Sequence, residues 1–299
     1  MINESHYDWR HRYFATLLLD SLYRLGYRFL ALEALGYDSN LGLRGFPVIQ
    51  TGFYTKEPYM GELIRNALRM GFTLVSYEDT TATYEGKFTS LMQKREYMQA
   101  HNLFQQFRKN PKGKWLVLAG YGHINKFQLT LRGDSSMAMY FKQMSGIDPF
   151  CIDQSRYCDL LTEPTTIQKL STGYYSLNAS QIADNVLSKQ CDLYIINNLK
   201  EQPYEPESRY SSGYRQFEIS LTSEKIEREL GNCVVMIFYT SEITREDNCI
   251  PIYVRRLIDK KQTKFIAFLP DNDYTVIVKN ETGDILENKD IRRKEKKSE

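Results

Sequence analysis

The sequence predicts an α/β protein with a mostly parallel sheet, helices on both faces of that sheet, and a small C-terminal antiparallel β module. Three observations predict this class. Helix-like and strand-like patterns alternate over most of the chain, as they do in right-handed crossover units of a parallel sheet. The strand-like runs there are short and apolar on both faces, which is typical of buried parallel strands. Nearer the C-terminus, strand-like runs separated by turn residues replace this alternation.

The first helix and strand set the pattern that later pairs repeat. From Trp9 to Leu25 apolar residues recur at helical spacing, and Gly26 is typical of a helix end. A strand that ends at Glu33 follows at once. The apolar helical positions are Phe14, Leu17, Leu18, Leu22 and Leu25. Further helices are predicted over 58–70, 95–108, 136–144 and 182–187, and strands over 29–32, 72–76, 115–119, 149–153 and 193–196.

The chain is predicted to divide near residue 205. Residues 201–214 are polar and include Pro203, Pro206 and Gly213, which suits a linker or surface loop. We therefore expect an α/β domain over 1–205 and a β-rich module over 206–299. In the module, strands are predicted over 233–239, 250–254, 264–269 and 274–278, and the charged residues 292–299 are predicted to fray.

Composition excludes several classes of function. The chain carries 39 basic and 37 acidic residues, and its net charge of +2 gives no overall attraction to nucleic acid. No run approaches the roughly 20 apolar residues that a membrane span requires. The five cysteines are odd in number and form no CxxC pair, so we expect buried thiols rather than a zinc knuckle or a complete disulfide framework. The expected partner is a small-molecule substrate or ligand, and the oligomeric state is left open.

The start of the sequence is abrupt. Met1, Ile2 and Asn3 lead directly into a charged motif, without the strand that the following pattern requires. We expect the natural protein to begin upstream. The sequence contains no signal peptide, so the compartment is left open, with an exported, periplasmic origin among the options.

Polar residues follow several of the predicted strands. Glu33, Glu78, His123 and Asp153 each stand at or just beyond a different strand end. Ligands of open parallel sheets bind at the carboxyl ends of the strands, so we expect these side chains to line one crevice. Glu4 and His6 join them if the chain is extended there, because residues two apart share a face.

Carboxylates beside imidazoles suit two kinds of chemistry. A carboxylate can hold a histidine in one tautomer as a general base, and the same groups can bind a divalent cation. The metal candidates are Glu4, His6, Glu33 and His123. The alternative is that these residues form no functional site and that polar residues stand at strand ends only because the chain enters solvent there. Two other histidines are read as structural, with His11 on the surface of the first helix and His101 within a later helix.

Several motifs together resemble one family. They are Asn3-Glu4-Ser5-His6-Tyr7, an arginine at Arg10 or Arg12, Leu32-Glu33, Arg95-Glu96-Tyr97-Met98 and Ala119-Gly120-Tyr121-Gly122-His123. In this order, over about residues 1–125, they resemble the erythromycin esterase-like and ChaN-like superfamily. The resemblance implies an α/β fold and a catalytic set of Glu4, His6, Glu33, Arg95 and His123. Substrate-binding residues around that set are predicted to be Arg12, Tyr54, Glu78 and Tyr121, while Tyr77 also borders the crevice.

This chain departs from the family at two points. Asn3 stands where the family has glycine, and the spacing of Glu4 and His6 is closer to ChaN-like members than to the esterases. The resemblance therefore does not imply activity on macrolides. It also leaves the reaction open, because the family contains hydrolases, proposed metal-dependent peptidases and a haem-binding branch.

Three functional hypotheses follow. The leading one is a hydrolase of an ester or amide bond, in which His6 activates water, Glu4 or Glu33 orients it, and Arg95 or His123 stabilises the oxyanion. The second is a protein that binds haem or a metal without turnover. The third makes the α/β domain a scaffold and the β module an interaction surface. A divalent metal is the first choice of cofactor and haem the second.

Overall fold

The computed structural model describes residues 1–33, 35–80, 88, 90–126, 135–156, 168–171, 174–178, 190–199, 214–245 and 248–292. Within these residues the chain forms two compact units. The first comprises residues 1–45, 50–55 and 62–199, and the second comprises residues 46–49, 56–61 and 200–299. The predicted helix over 182–187, most of the predicted linker and the charged residues from 293 onward lie outside the described residues.

An eight-stranded sheet forms the centre of the first unit. Its order is β3-β2-β4-β1-β5-β8-β7-β6. Every pair from β3 to β8 is parallel, whereas β7 pairs antiparallel with both β8 and β6. The mostly parallel sheet predicted from the alternating pattern is therefore confirmed. The strands are β1 (Ile2–Glu4), β2 (Tyr27–Leu32), β3 (Thr73–Ser76), β4 (Lys114–Gly120), β5 (Ile152–Asp153), β6 (Gln168–Ser171), β7 (Tyr174–Asn178) and β8 (Leu193–Asn197).

Helices cover the sheet because its strands are apolar on both faces. Val117 and Ala119 of β4 pack in one cluster with residues of two helices, while Leu116 and Leu118, which alternate with them, are also buried. The helices are α1 (Trp9–Arg24), α2 (Leu41–Arg44), α3 (Pro58–Met70), α4 (Leu91–Lys109) and α5 (Met137–Ser145). Short 3-10 turns lie at Ile49–Thr51, Tyr54–Lys56 and Tyr121–Ile124.

The structure corrects the expectation that the first strand is missing. Ile2–Glu4 itself forms β1, which lies between β4 and β5 in the middle of the sheet. Three residues are enough to form this strand, because on the β4 side it pairs with just the last three residues of β4, from Leu118 to Gly120. This short strand had no sequence signal, since a periodicity cannot be read from three residues.

Helix α1 buries only some of the apolar positions that its spacing indicated, and Phe14 is one of them. Leu17 and Leu25 are exposed, whereas Leu19 is fully buried. His11 was predicted to lie on the surface, and that prediction is wrong, because its side chain is buried and its Nδ1 accepts the Ser5 N–H at 2.9 Å. The full buried set on α1 is His11, Arg12, Tyr13, Phe14, Ala15 and Leu19. The helix thus packs a polar stripe against the sheet edge that holds the site.

The second unit is antiparallel, as the turn-rich pattern predicted. A four-stranded sheet has the order β11-β10-β13-β14, and β12 pairs with β9 in a two-stranded sheet. The strands are β9 (Tyr214–Ser220), β10 (Cys233–Tyr239), β11 (Tyr253–Leu257), β12 (Lys264–Pro270), β13 (Tyr274–Asn280) and β14 (Ile285–Ile291), with short helices α6 (Glu224–Arg228) and α7 (Thr240–Ile243). Strands β9 and β14 were not predicted, and β11 lies three residues later than predicted.

The described cysteines Cys151, Cys191, Cys233 and Cys249 are all buried, as expected for structural thiols. Among the described residues, no helix has the length and apolar character of a membrane span.

Candidate functional site

The strand order brings the ends of β1, β2 and β4 together at one edge of the sheet. Glu4 lies opposite Gly120 in the register of β1 and β4, and the N–H of Glu33 donates to the Leu118 carbonyl at 3.2 Å. Helix α4 passes this edge and adds Arg95. The residues predicted as the site thus meet in the first unit, and they are Glu4, His6, Arg12, Glu33, Tyr54, Glu78, Arg95, Tyr121 and His123.

Glu4 links His6 to a buried arginine. His6 Nδ1 lies 3.0 Å from Glu4 Oε1, so Glu4 holds the ring by one nitrogen and leaves Nε2 facing the site. Arg12 Nε donates to Glu4 Oε2 at 2.6 Å, and Arg12 Nη2 donates to Glu4 Oε1 at 3.2 Å. Arg12 Nη2 also donates to the His6 carbonyl at 3.2 Å. The pair of hydrogen bonds offsets the charge of a carboxylate that is only 2% exposed.

Glu33 is the point on which both histidines converge. Its Oε1 lies 4.0 Å from His6 Nε2, 3.6 Å from His123 Nε2 and 2.6 Å from Arg95 Nη2. Its other oxygen accepts the backbone N–H of Gly120. Burial raises the pKa of Glu33, but the charge of His123, the Gly120 N–H and Arg95 outweigh burial, and the pKa is lowered. Glu33 is therefore a carboxylate that stays ionised although it is buried.

Arg95 joins Glu33 to Glu78 and His123. Its Nε donates to Glu78 Oε1 at 3.0 Å, its Nη2 pairs with both carboxylates, and its Nη1 lies 3.1 Å from His123 Nε2. Burial lowers the pKa of Arg95, but the hydrogen bonds to Glu78 and Glu33 raise it by more. The pKa of Arg95 is therefore raised, and the guanidinium remains a cation. Gln99 also donates to Glu78, at 3.1 Å. The side chains of Arg95 and Glu78 are 33% and 26% exposed, so this part of the site faces solvent.

His123 has a carboxylate partner of its own that the sequence reading missed. Its Nδ1 lies 2.7 Å from Glu96 Oε1. Burial and the positive charge of Arg95 lower the pKa of His123. The contact with Glu96 and the negative charges of Glu96 and Glu33 raise it, and they outweigh the other two, so the pKa of His123 is raised. Both imidazoles of the site are thus backed by a glutamate at Nδ1 and face Glu33 with Nε2.

Gly120 leaves the space in which these groups meet. A Cβ atom at residue 120 would lie 2.6 Å from His6 Nε2 and 3.1 Å from Glu33 Oε2. The Gly120 backbone has φ −75° and ψ 145°, which any residue adopts. The lack of a side chain, and not backbone freedom, is therefore what the site requires. The sequence showed this glycine only as part of the Gly120-Tyr121-Gly122 turn.

Aromatic rings border His6. Tyr54 stacks on the His6 ring with centroids 3.9 Å apart and planes inclined by 9°, and Tyr121 meets the same ring edge-on at 5.3 Å. Tyr121 has φ 37°, the only positive φ outside glycine among the described residues. Such strain is common where a site fixes a side chain. Tyr77, also predicted at the crevice, instead is buried and donates its hydroxyl to the Leu118 carbonyl at 2.8 Å.

Two expectations about the site are corrected. Asp153 is buried at the end of β5 and accepts from the N–H groups of Ser155 and Arg156, and no contact among the described residues joins it to the cluster. The four metal candidates also do not fit a metal ion. Among the described residues no group of three or more His, Cys, Asp or Glu side chains is arranged to hold one. The Arg95 guanidinium contacts both Glu33 and His123 and thus brings a positive charge to this part of the site.

Comparison with known proteins adds a likeness in part of the fold. No family model matches this chain, and no curated protein matches it. The chain is similar to a solved structure described as the type III effector HopBA1, with 15% identity and a TM-score of 0.41. The similar region covers 66% of this chain and 86% of that one. A likeness of this size carries no function from one protein to the other, so the chemistry rests on the geometry of the site.

Proposed function

We propose that this protein hydrolyses an ester or amide bond of a small molecule and belongs to the erythromycin esterase-like and ChaN-like superfamily. One observation carries the proposal. His6 is held through Nδ1 by the buried Glu4 at 3.0 Å, and its Nε2 lies 4.0 Å from Glu33, which also pairs with Arg95. A largely buried imidazole with one nitrogen fixed and the other near a carboxylate is suited to general base catalysis.

The proposed reaction begins with water. With the Nδ1 proton directed to Glu4, His6 Nε2 carries the lone pair and takes a proton from the water as its oxygen bonds to the substrate carbonyl carbon. Glu33 lies 4.0 Å from His6 Nε2 and orients that water. Arg12 holds Glu4 through two hydrogen bonds, and the Glu4 carboxylate stabilises the imidazolium that forms.

The carbonyl oxygen becomes negative in this step, and Arg95 is the group that stabilises it. The guanidinium is a permanent cation, the Arg95 side chain is 33% exposed, and its Nη1 lies 3.1 Å from His123 Nε2. The intermediate then collapses, the bond to the leaving oxygen or nitrogen breaks, and that atom takes a proton from His123. The products are a carboxylic acid and an alcohol or amine, so water is the only co-reactant.

Binding of a metal or haem without turnover is the alternative. Imidazoles backed by a carboxylate at Nδ1, as His6 and His123 are, also occur among metal ligands. Against it, Arg95 contacts both Glu33 and His123 and brings positive charge to the place a cation would take. Titration of the purified protein with haemin tests the haem-binding hypothesis, because ligation shifts the Soret band of the haem. An unchanged Soret band excludes ligation.

A panel of chromogenic esters and amides tests the hydrolase. We expect the wild-type chain to turn over at least one class, and His6→Ala to lower that turnover by a factor of roughly 100 to 10,000, as loss of a general base does. The control is His101→Ala, since His101 lies on α4 and its Nε2 contacts only Gln105 among the described hydrogen bonds. Turnover that is unaffected by His6→Ala, with an unchanged circular dichroism spectrum, removes the mechanism.

A further inference from the structure

Glu96 is a carboxylate of this site to which the sequence motifs assign no role. It lies on α4 next to Arg95, and its side chain is 13% exposed. One oxygen lies 2.7 Å from His123 Nδ1, and the other accepts the Met137 N–H at 2.6 Å. Glu96 is thereby fixed between the imidazole and the first residue of α5.

The Glu96 side chain lies at the start of α5. The first N–H groups of a helix have no partner within the helix and carry partial positive charge, which stabilises a nearby anion. Met137 supplies one of these N–H groups to Glu96, and Ser136 caps another at Met139. The Met137 N–H is a neutral donor, so this hydrogen bond, unlike those of Arg12 to Glu4, places no cation beside Glu96.

Glu4, the matching partner of His6, is in a different environment. Its charge is offset by the two hydrogen bonds from Arg12. Each glutamate thus has an oxygen within 3.0 Å of an imidazole Nδ1, and the two pairs differ in net charge. Unequal environments of this kind separate the acid from the base of a catalytic pair.

Three charged groups face the His123 ring. Glu96 lies at Nδ1, and at Nε2 Arg95 Nη1 lies 3.1 Å away and Glu33 Oε1 lies 3.6 Å away. The neutral ring accepts from Arg95 at Nε2, whereas the protonated ring directs its Nε2–H toward Glu33. The Nδ1 atom lies 2.7 Å from Glu96 Oε1, so the negative charge of Glu96 favours a proton on Nδ1 and leaves Nε2 as the nitrogen that changes its protonation.

We propose that Glu96 is a positioning residue that fixes the ring orientation, the tautomer and the positive charge of His123. The chemical consequence rests on the proposed function: His123 is then ready to give the Nε2 proton to the leaving group, while His6 accepts one from water. Charge on the helix-bound glutamate, and not its packing alone, is the property that matters.

NMR spectra of the full chain with 15N-labelled histidine test this role of Glu96 without any substrate. The chain has only four histidines, and His123→Gln identifies the signals of His123. We expect wild-type His123 to titrate at higher pH than in Glu96→Gln, and its neutral ring to carry the proton on Nδ1. Glu96→Asp retains the charge, so its midpoint should stay above that of Glu96→Gln. The matched control is Glu62→Gln, which removes a buried glutamate paired with Arg65 on α3.

An unchanged midpoint in Glu96→Gln would overturn the inference, and so would equal midpoints in the Asp and Gln variants. The proposed hydrolase fails in a different way. If the wild-type chain hydrolyses nothing in the panel while Glu96→Gln still lowers the His123 midpoint, the positioning role stands and the reaction does not.

Discussion

Arg12 and Arg24 lie on the same helix and both pair with a carboxylate, but their environments differ. Arg12 is 1% exposed and binds Glu4 through two nitrogens, whereas the side chains of Arg24 and Asp20 are 78% and 58% exposed. Removing one member of a buried ion pair leaves the other charge without a partner, which is costly. A solvent-exposed pair of this kind contributes little.

We therefore expect Arg12→Met to lower the free energy of unfolding by about 3–5 kcal/mol, because Glu4 then stays buried without a cation. Arg24→Met is the matched control and should change stability by less than about 1 kcal/mol. Denaturant unfolding followed by circular dichroism measures both. Equal effects of the two substitutions would show that the Arg12–Glu4 pair does not support the site as described.

Gly120 gives a second prediction at a single position. Gly120→Ala suits the local backbone but places a methyl group 2.6 Å from His6 Nε2, so His6 and Glu33 must move apart. We expect a cost of about 1–3 kcal/mol in unfolding free energy, as for overpacking, together with loss of turnover. Gly42→Ala is the control, because a Cβ atom there has no neighbour within 4 Å. Full activity in Gly120→Ala would contradict the close approach of the two groups.

Helix α4 carries two side chains of the proposed site, and its first turn fixes where they lie. The sequence predicted that this helix begins at Arg95, but it begins at Leu91 because the Ser90 side chain accepts the Gln93 N–H at 3.0 Å. A capping serine has no apolar periodicity, so a search for helical spacing misses it. The extra turn places Arg95 and Glu96 inside the helix rather than at its frayed end.

Ser90→Ala should therefore destabilise the first unit by about 1 kcal/mol, the usual value of a lost N-cap. Asn40→Ala is the control, since Asn40 precedes α2 without a side-chain capping bond. Thermal unfolding compares the two variants. If Asn40→Ala costs as much as Ser90→Ala, capping is not what holds the start of α4.

The sequence predicted the fold class because alternating helices and buried strands have a strong periodic signal. Elements with little periodicity were missed, as with the three residues of β1 and the antiparallel strands β6 and β7. At the site, strand ends pointed to Glu33 and His123, and the motif spacing pointed to His6. Glu96 and Gly120 were missed because their importance lies in distances across the fold, which no single sequence displays.

The molecule as a whole places two glutamate–imidazole pairs at one edge of a parallel sheet. Glu4 touches His6 and Arg12, and in the proposed reaction it acts only by orienting and stabilising His6. Effects of residues that act as one unit do not add. Non-additive effects on turnover therefore distinguish two residues that act together from two polar residues that lie at the same edge and act separately.

A double-mutant cycle on turnover measures whether the effects of Glu4 and His6 add. It compares His6→Gln, Glu4→Gln and the double variant, each verified as folded at the assay temperature. We expect the double variant to be no slower than His6→Gln alone, because Glu4 has no role once the imidazole is gone. If instead the two losses multiply, Glu4 and His6 act separately and the proposed base is wrong.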